Sequence, residues 1–152
     1  MAKARTRRFP VLATASLSVS ICGSYNKHLK EMRAAMAECK RLGIHVLIPK
    51  YAEKKYSKNR FVYLKGERGT PKQLQEKNFE AITRSSFILV VDPDGYVGTS
   101  TAMEIGFSIA KGIPVFLTDS PNDYVFRFYT EYGRPLAKIK SLLLARHGIE
   151  LN

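Results

Sequence analysis

Only two cysteines, Cys22 and Cys39, and three histidines occur in 152 residues, and they are scattered. Without CxxC spacing or a Cys/His cluster, nothing suggests a zinc site or a disulfide framework, and no metal or other cofactor is implied. Buried, inert thiols in a reducing compartment are the expectation. No apolar run approaches the roughly 20 residues of a membrane helix, so the reading is a cytoplasmic protein with no membrane partner. Internal repeats and low-complexity tracts are missing. The stretch "GTSTA" is not a G-x-S-x-G nucleophile elbow, which argues against a serine hydrolase. "CGSY" lacks the spacing of a P-loop or dinucleotide fingerprint, and no arginine follows Cys22 at the distance a cysteine phosphatase loop uses. Acidic residues are also scarce, 13 against 25 basic, for a formal net charge of +12. That balance favours anionic partners, whether nucleic acid, phosphorylated metabolites or an acidic surface, without choosing among them.

What is present suits an ordinary globular domain: 45% apolar and 25% charged residues in a length typical of one core. The start, "MAKARTRRFPVLATASLSVSIC", imitates a signal segment, but Ser16, Ser18 and Ser20 interrupt its apolar run and Leu17, Val19 and Ile21 alternate as a strand does. Residues 1–15 are therefore read as a basic tail and 16–152 as a single domain. Strand one spans about Leu17 to Cys22. Leu29, Met32, Met36 and Cys39 then recur at helical spacing, with Gly43 as the stop. "IHVLIP" reads as a strand. Thr70 and Gln73 form a capping box with Pro71 at the first helical position.

"FILVVD" (Phe87 to Asp92) is a continuous apolar strand of the kind buried in a parallel sheet. A glycine loop, a helix from about Thr101 to Lys111, a strand "PVFLT" and a closing helix carrying Leu136, Ile139, Leu142 and Leu143 complete the chain. Alternating strands and helices predict an α/β, flavodoxin-like doubly wound parallel sheet in a three-layer sandwich, with ligands at the carboxyl ends of the strands. A basic insertion at about 50–70 breaks the pattern. Across residues 50–72, eight basic residues meet only Glu53 and Glu67, interleaved with Tyr51, Tyr56, Phe61 and Tyr63. It suits a hairpin or lid over an anionic small molecule, a nucleic-acid surface, or plain solvated surface.

Two loops could carry chemistry. At Gly23 and Ser24, free N–H groups between a strand and a helix could meet an anion, or the segment could be a simple turn with Ser24 or Asn26 as N-cap. In "GYVGTSTAMEIG", Thr101 and Glu104 match a T-x-x-E capping box. Glu104 is equally suited to nucleophilic attack, because a carboxylate near a helix N-terminus keeps a low pKa and stays ionised. The two roles are compatible. Gly95 and Gly98 leave room for a ligand there. Asp92 and Asp94 stand close by in sequence and could orient the nucleophile or handle a proton, although "DPDG" also reads as a turn.

The segments "SICGSY…KEMRAAMAECKRLGIHVLIP", "NFEAITRSSFILVVD" and "GYVGTSTAMEIGFSIAKGIPVF" resemble the nucleoside 2-deoxyribosyltransferase-like superfamily, which includes the 2'-deoxynucleoside 5'-phosphate N-hydrolases. The resemblance spans about residues 18 to 118, and its most specific part surrounds Glu104. It implies that Glu104 attacks the anomeric carbon of a nucleoside or nucleoside 5'-monophosphate and displaces the base, forming a glycosyl-enzyme ester resolved by water or a second base. Asp94 and Tyr25 would assist catalysis. Gly23, Ser24, Asn78, Asp92, Tyr96, Gly98, Thr99 and Ser100 would contact the substrate. A homo-oligomer, dimeric or larger, is also implied. The chain departs from the family where Asn78 replaces the acid that hydrolase members carry, where Ser86 replaces an aspartate before the central strand, and where Tyr96 replaces an aspartate of the transferases. Asparagine cannot act as a general acid, so proton transfer to the leaving base has no donor at that position. The alternatives are a non-catalytic nucleotide-binding module of the same fold and, further off, a basic nucleic-acid-binding protein.

Overall fold

Alternation along Leu17 to Cys22 sends Val19 and Ile21 to one face of a strand and Ser20 and Cys22 to the other. In the computed structural model, which describes residues 16–148, this segment is β1 (Ser18–Gly23). The expected basic tail at 1–15 lies outside the described residues. The amphipathic repeat becomes α1 (Leu29–Arg41), which buries Met32 and Cys39, and β2 (His45–Ile48) follows. Ser24 and Asn26 do not cap α1. Its N-cap is His28, while Ser24 closes the preceding turn by accepting the His28 N–H on its carbonyl and the Lys27 N–H on its hydroxyl.

The basic insertion is an antiparallel hairpin, β3 (Lys54–Lys58) and β4 (Phe61–Leu64). Its two-residue tip, Asn59 and Arg60, is left-handed at both positions (φ 51° and 63°), the backbone that matches the twist of paired strands. Next comes α2 (Pro71–Thr83), where the capping box forms as expected: the Thr70 hydroxyl accepts the Gln73 N–H at 3.2 Å and the Gln73 side chain accepts the Thr70 N–H at 2.9 Å.

The remaining elements are β5 (Phe87–Val91), α3 (Thr99–Ala110), β6 (Val115–Leu117), a single turn α4 (Phe126–Tyr129), β7 (Glu131–Tyr132) and α5 (Leu136–Arg146). All five positions of β5 are buried, each large side chain contributing roughly 1.5–3 kcal/mol by leaving water. The two-residue β7 and one-turn α4 are too short to leave a periodic signal in the sequence.

The main sheet is parallel, in the order β2-β1-β5-β6-β7. One face packs Val19, Ile21, Leu89 and Val91 against Met32 and Cys39 of α1 and Ile139 and Leu143 of α5. The other packs Cys22, Ile88 and Val90 against Ile82 of α2 and Ile105 of α3. This is the expected flavodoxin-like three-layer sandwich. Strand order reverses between β1 and β5, and their carboxyl ends open a crevice between diverging connections.

Two local expectations change at that crevice. Helix α3 begins at Thr99, with Gly98 as N-cap and no side-chain cap bond. Thr101 and Glu104 therefore lie inside the helix and form no capping box. Gly95 gives a ligand no room, since it adopts φ +76° and a Cβ there would stand 2.5 Å from the Ser120 carbonyl oxygen.

Candidate active site

The buried stripe of α3 is Thr101, Glu104, Ile105 and Ser108, a spacing that puts all four on one face toward the sheet. Three of the four are polar. Such a face is costly unless its groups are bonded; the Ser108 hydroxyl donates to the Glu104 carbonyl at 2.7 Å. The Glu104 carboxylate meets α2, where Gln75 and Asn78 stand one helical turn apart. Gln75 Nε2 donates to Glu104 Oε1 at 3.0 Å and Asn78 Nδ2 donates to the same oxygen at 3.2 Å.

Glu104 is 6% exposed, and burial raises its pKa above the usual glutamate value, with the Gln75, Cys22 and Asn78 side chains opposing the rise. The low pKa expected from a helix N-terminus is thus not what this site produces. With the helix starting at Thr99, Glu104 sits in the second turn, where the dipole has faded and desolvation of the charged form dominates. Burial likewise pushes the Tyr25 phenol and the Cys22 thiol well up, reinforced in each case by the nearby Glu104 carboxylate.

Glu104 lies in the wall of a cavity of about 500 Å³. The turn after β1 contributes Gly23, Ser24 and Tyr25, α2 contributes Asn78, and the α3 loop contributes Tyr96, Gly98, Thr99 and Ser100. Gly23 has a packing role as well, because a Cβ there would stand 2.9 Å from the Val91 carbonyl oxygen on β5. Lys27 Nζ lies 3.7 Å from the centre of the Tyr96 ring, and His28 meets the same ring edge-on at 5.8 Å. These contacts tie the β1 turn to the α3 loop across the crevice.

Asp92 and Asp94 do not line this cavity. Asp92 is fully buried, and its Oδ1 accepts the Asp119 N–H at 2.9 Å and the Thr118 hydroxyl at 3.1 Å. Burial pushes its carboxyl up to about 6 against those bonds. The Asp94 N–H donates to Asp119 Oδ2 at 3.0 Å. Both residues stitch the end of β5 to the segment after β6. Ser86 is at the opposite end of β5, where its hydroxyl accepts the Ser18 N–H at 3.0 Å.

Several cavity residues carry no sequence signal of function: Gln75 on α2, Lys27, Arg60 at the hairpin tip, and Glu67 in the connection from β4 to α2. Of these, Gln75 could have been found from its i, i+3 relation to Asn78 on the face of α2 between the charged positions. Arg60 and Glu67 belong to the insertion, which thus borders the site. Among the described residues, no group of three or more His, Cys, Asp or Glu side chains is arranged to hold a metal ion, and no helix is long and apolar enough to cross a membrane.

No family model and no curated protein matches the sequence. Solved structures do match the fold. A CMP N-glycosidase from Clostridium botulinum is 16% identical with a TM-score of 0.53, the match covering 84% of this chain and 98% of that one. A 2-deoxyribosyltransferase from Bacillus psychrosaccharolyticus is 17% identical with a TM-score of 0.58, covering 89% of this chain and 98% of that one. A conserved protein from Enterococcus faecalis is 16% identical with a TM-score of 0.53, over 87% of this chain and 76% of its own. The chain has the nucleoside deoxyribosyltransferase-like fold.

Proposed function

We propose that the protein cleaves, or transfers at, the N-glycosidic bond of a nucleoside or nucleoside 5'-monophosphate, with Glu104 as nucleophile. The observation that carries this reading is the setting of Glu104: a buried carboxylate in a cavity wall at the switch in strand order, with Oε1 held by the Gln75 and Asn78 amides. Donors on one oxygen fix the carboxylate plane and leave Oε2 clear of either amide. A carboxylate oxygen aimed at the anomeric carbon forms a C–O bond as the C–N bond breaks, through an oxocarbenium-like transition state. Water then releases the sugar, or a second base takes it.

The surrounding residues support this chemistry. Tyr25 keeps its proton at neutral pH, so its phenol can donate a hydrogen bond toward the carboxylate or the sugar. Lys27 and Arg60 line the cavity, and neither has a carboxylate within salt-bridge distance among the described residues. Two cations in one cavity without a carboxylate partner suit a substrate bearing a phosphate. Likeness of fold to an N-glycosidase and a deoxyribosyltransferase points the same way.

The experiment is free-base release from a panel of nucleosides and nucleoside 5'-monophosphates, with and without a second base, for wild type and Glu104→Gln. Release by wild type and its loss by roughly 10³-fold or more in the variant is expected. Undiminished release by Glu104→Gln would remove Glu104 as nucleophile. Binding without any release by wild type would make the protein a nucleotide-binding module instead. Dependence on added base separates transferase from hydrolase.

A further inference from the structure

A base leaving as its anion is a poor leaving group, so glycosidic cleavage needs a proton delivered to it. The residues beside Glu104 cannot supply one: Gln75 and Asn78 are amides. Tyr25 holds its proton too tightly, because burial and the adjacent carboxylate both disfavour the phenolate. Arg60 does not release a proton in proteins, and the Lys27 ammonium is engaged over the Tyr96 ring. Among the described residues, one other carboxyl group lines the same cavity, on Glu67.

We infer that Glu67 is the general acid that protonates the departing base, a role that rests on the N-glycosidic reading of Glu104. It enters the cavity from the connection between β4 and α2, whereas Glu104 enters from α3. The two therefore reach one cavity from separate elements, an arrangement by which a pair of carboxyl groups can flank a scissile bond. Its carboxyl is held in place: the Leu64 N–H donates to Glu67 Oε2 at 2.8 Å and the Glu67 N–H donates to the Leu64 carbonyl at 3.1 Å. Oε1 has no such tether among the described residues and can carry the proton.

The environment suits an acid. Glu67 is partly buried, and burial raises its pKa, against the opposing effects of the Leu64 N–H and of Lys77 on α2. The charged and titratable groups facing it are Lys77 and Tyr25, and Tyr25 in turn feels both Glu67 and Glu104. One phenol therefore lies within electrostatic reach of both carboxyl groups. The steps balance. As the Glu104 carboxylate forms its bond to C1', the C–N bonding pair passes to the base nitrogen and the Glu67 proton goes to the base. When water attacks C1' of the ester, the Glu67 carboxylate takes up the water proton and Glu104 leaves as carboxylate.

The test is Glu67→Gln, which keeps an acceptor for the Leu64 N–H. It is assayed on an accepted nucleoside or nucleotide and on the 4-nitrophenyl glycoside of the same sugar, whose leaving group departs without protonation. Loss of roughly 10²–10⁴-fold in kcat is expected on the natural leaving group, with a change of only a few-fold on the nitrophenyl glycoside. The alkaline limb of the wild-type pH profile on the nucleoside should flatten in the variant. Glu104→Gln should lose both substrates. Equal loss on both substrates by Glu67→Gln, or no loss with the alkaline limb intact, would overturn the role of Glu67 while leaving Glu104 in place. Activity surviving in Glu104→Gln would instead overturn the underlying reading. If wild type does not turn over the glycoside, the pH profile decides alone.

Discussion

Asn78 and Glu104, 26 residues apart in sequence, meet at 3.2 Å where α2 crosses α3, and Gln75 reaches the same carboxylate oxygen at 3.0 Å. Asn78, on α2, thus serves as a hydrogen-bond donor to the proposed nucleophile. An amide there stabilises the charged form of Glu104, whereas a second carboxylate would oppose it.

That role fixes a pH dependence. Burial raises the Glu104 pKa and the amides oppose the rise. A nucleophile must be ionised, so activity falls on the acid side as Glu104 takes up a proton. Asn78→Ala or Gln75→Ala removes a stabilising donor and moves that acid limb to higher pH. On the limb, kcat/KM should drop by about tenfold, the worth of one hydrogen bond to a charged group. Above the limb it should recover most of the wild-type value. Full pH–rate profiles check this, since a purely packing role for the amides would lower the plateau and leave the limb where it was.

The two glycines of the α3 loop should respond differently to alanine. Gly95 is left-handed, and a Cβ on it would meet the Ser120 carbonyl oxygen at 2.5 Å and Asn122 Oδ1 at 2.7 Å. Gly98 has φ −78°, and a Cβ there would meet nothing nearer than the Tyr96 hydroxyl at 3.6 Å. Gly95→Ala should cost about 2 kcal/mol or more of folding stability. Gly98→Ala should change it by less than about 1 kcal/mol, because the unfolded-chain entropy it removes is offset by alanine being a poorer N-cap than glycine. Chemical denaturation of the two variants is the measurement.

Asp92 should leave a mark on stability against pH. Its carboxyl titrates at about 6 in the fold against a reference value of 3.8, so the folded state holds the proton more tightly than the unfolded chain does. Its contribution is most favourable below the unfolded value and is lost as pH rises through the folded one. Asp92→Asn lacks this titration. The stability of wild type relative to the variant should therefore decline by about 2 kcal/mol between roughly pH 4 and 6.5 and then level off. A pH-independent difference between the two would mean that Asp92 titrates normally.

Much of the architecture was legible because local periodicity carries it. Continuous apolar character in Phe87 to Val91 means burial on both faces, and only a central parallel strand provides that. Met32 and Cys39 recur at helical spacing because one face of α1 must meet the sheet. Thr70 and Gln73 cap α2 through atoms three residues apart. Glu104 was legible as a candidate because a carboxylate just beyond a strand and a glycine loop sits where such folds bind ligands.

Other readings failed where nearness in sequence stood in for nearness in space. Asp92 and Asp94 are close to Glu104 along the chain, yet the left-handed turn at Asp94 and Gly95 directs them toward Thr118 and Asp119. The T-x-x-E pattern at Thr101 looked like a cap because threonine and glutamate three residues apart satisfy the local rule, but α3 starts two residues earlier, at Thr99, with Gly98 as N-cap. The basic insertion left a hairpin or lid, a nucleic-acid surface and a plain solvated surface open, since nothing in its composition says which side chains turn inward.

The sequence by itself determined the layers, the strand at the centre and the position of the buried carboxylate, since these follow from side-chain periodicity and burial within single segments. Only the tertiary structure decided which groups share the site. Gln75 and Asn78 from one helix, Glu67 and Arg60 from the insertion and Tyr25 from the first turn line one cavity with Glu104. Burial in that setting raised the pKa of Glu104 against the opposing Gln75 and Asn78 amides, because the desolvation of a charge depends on everything packed around it and not on its neighbours in the chain.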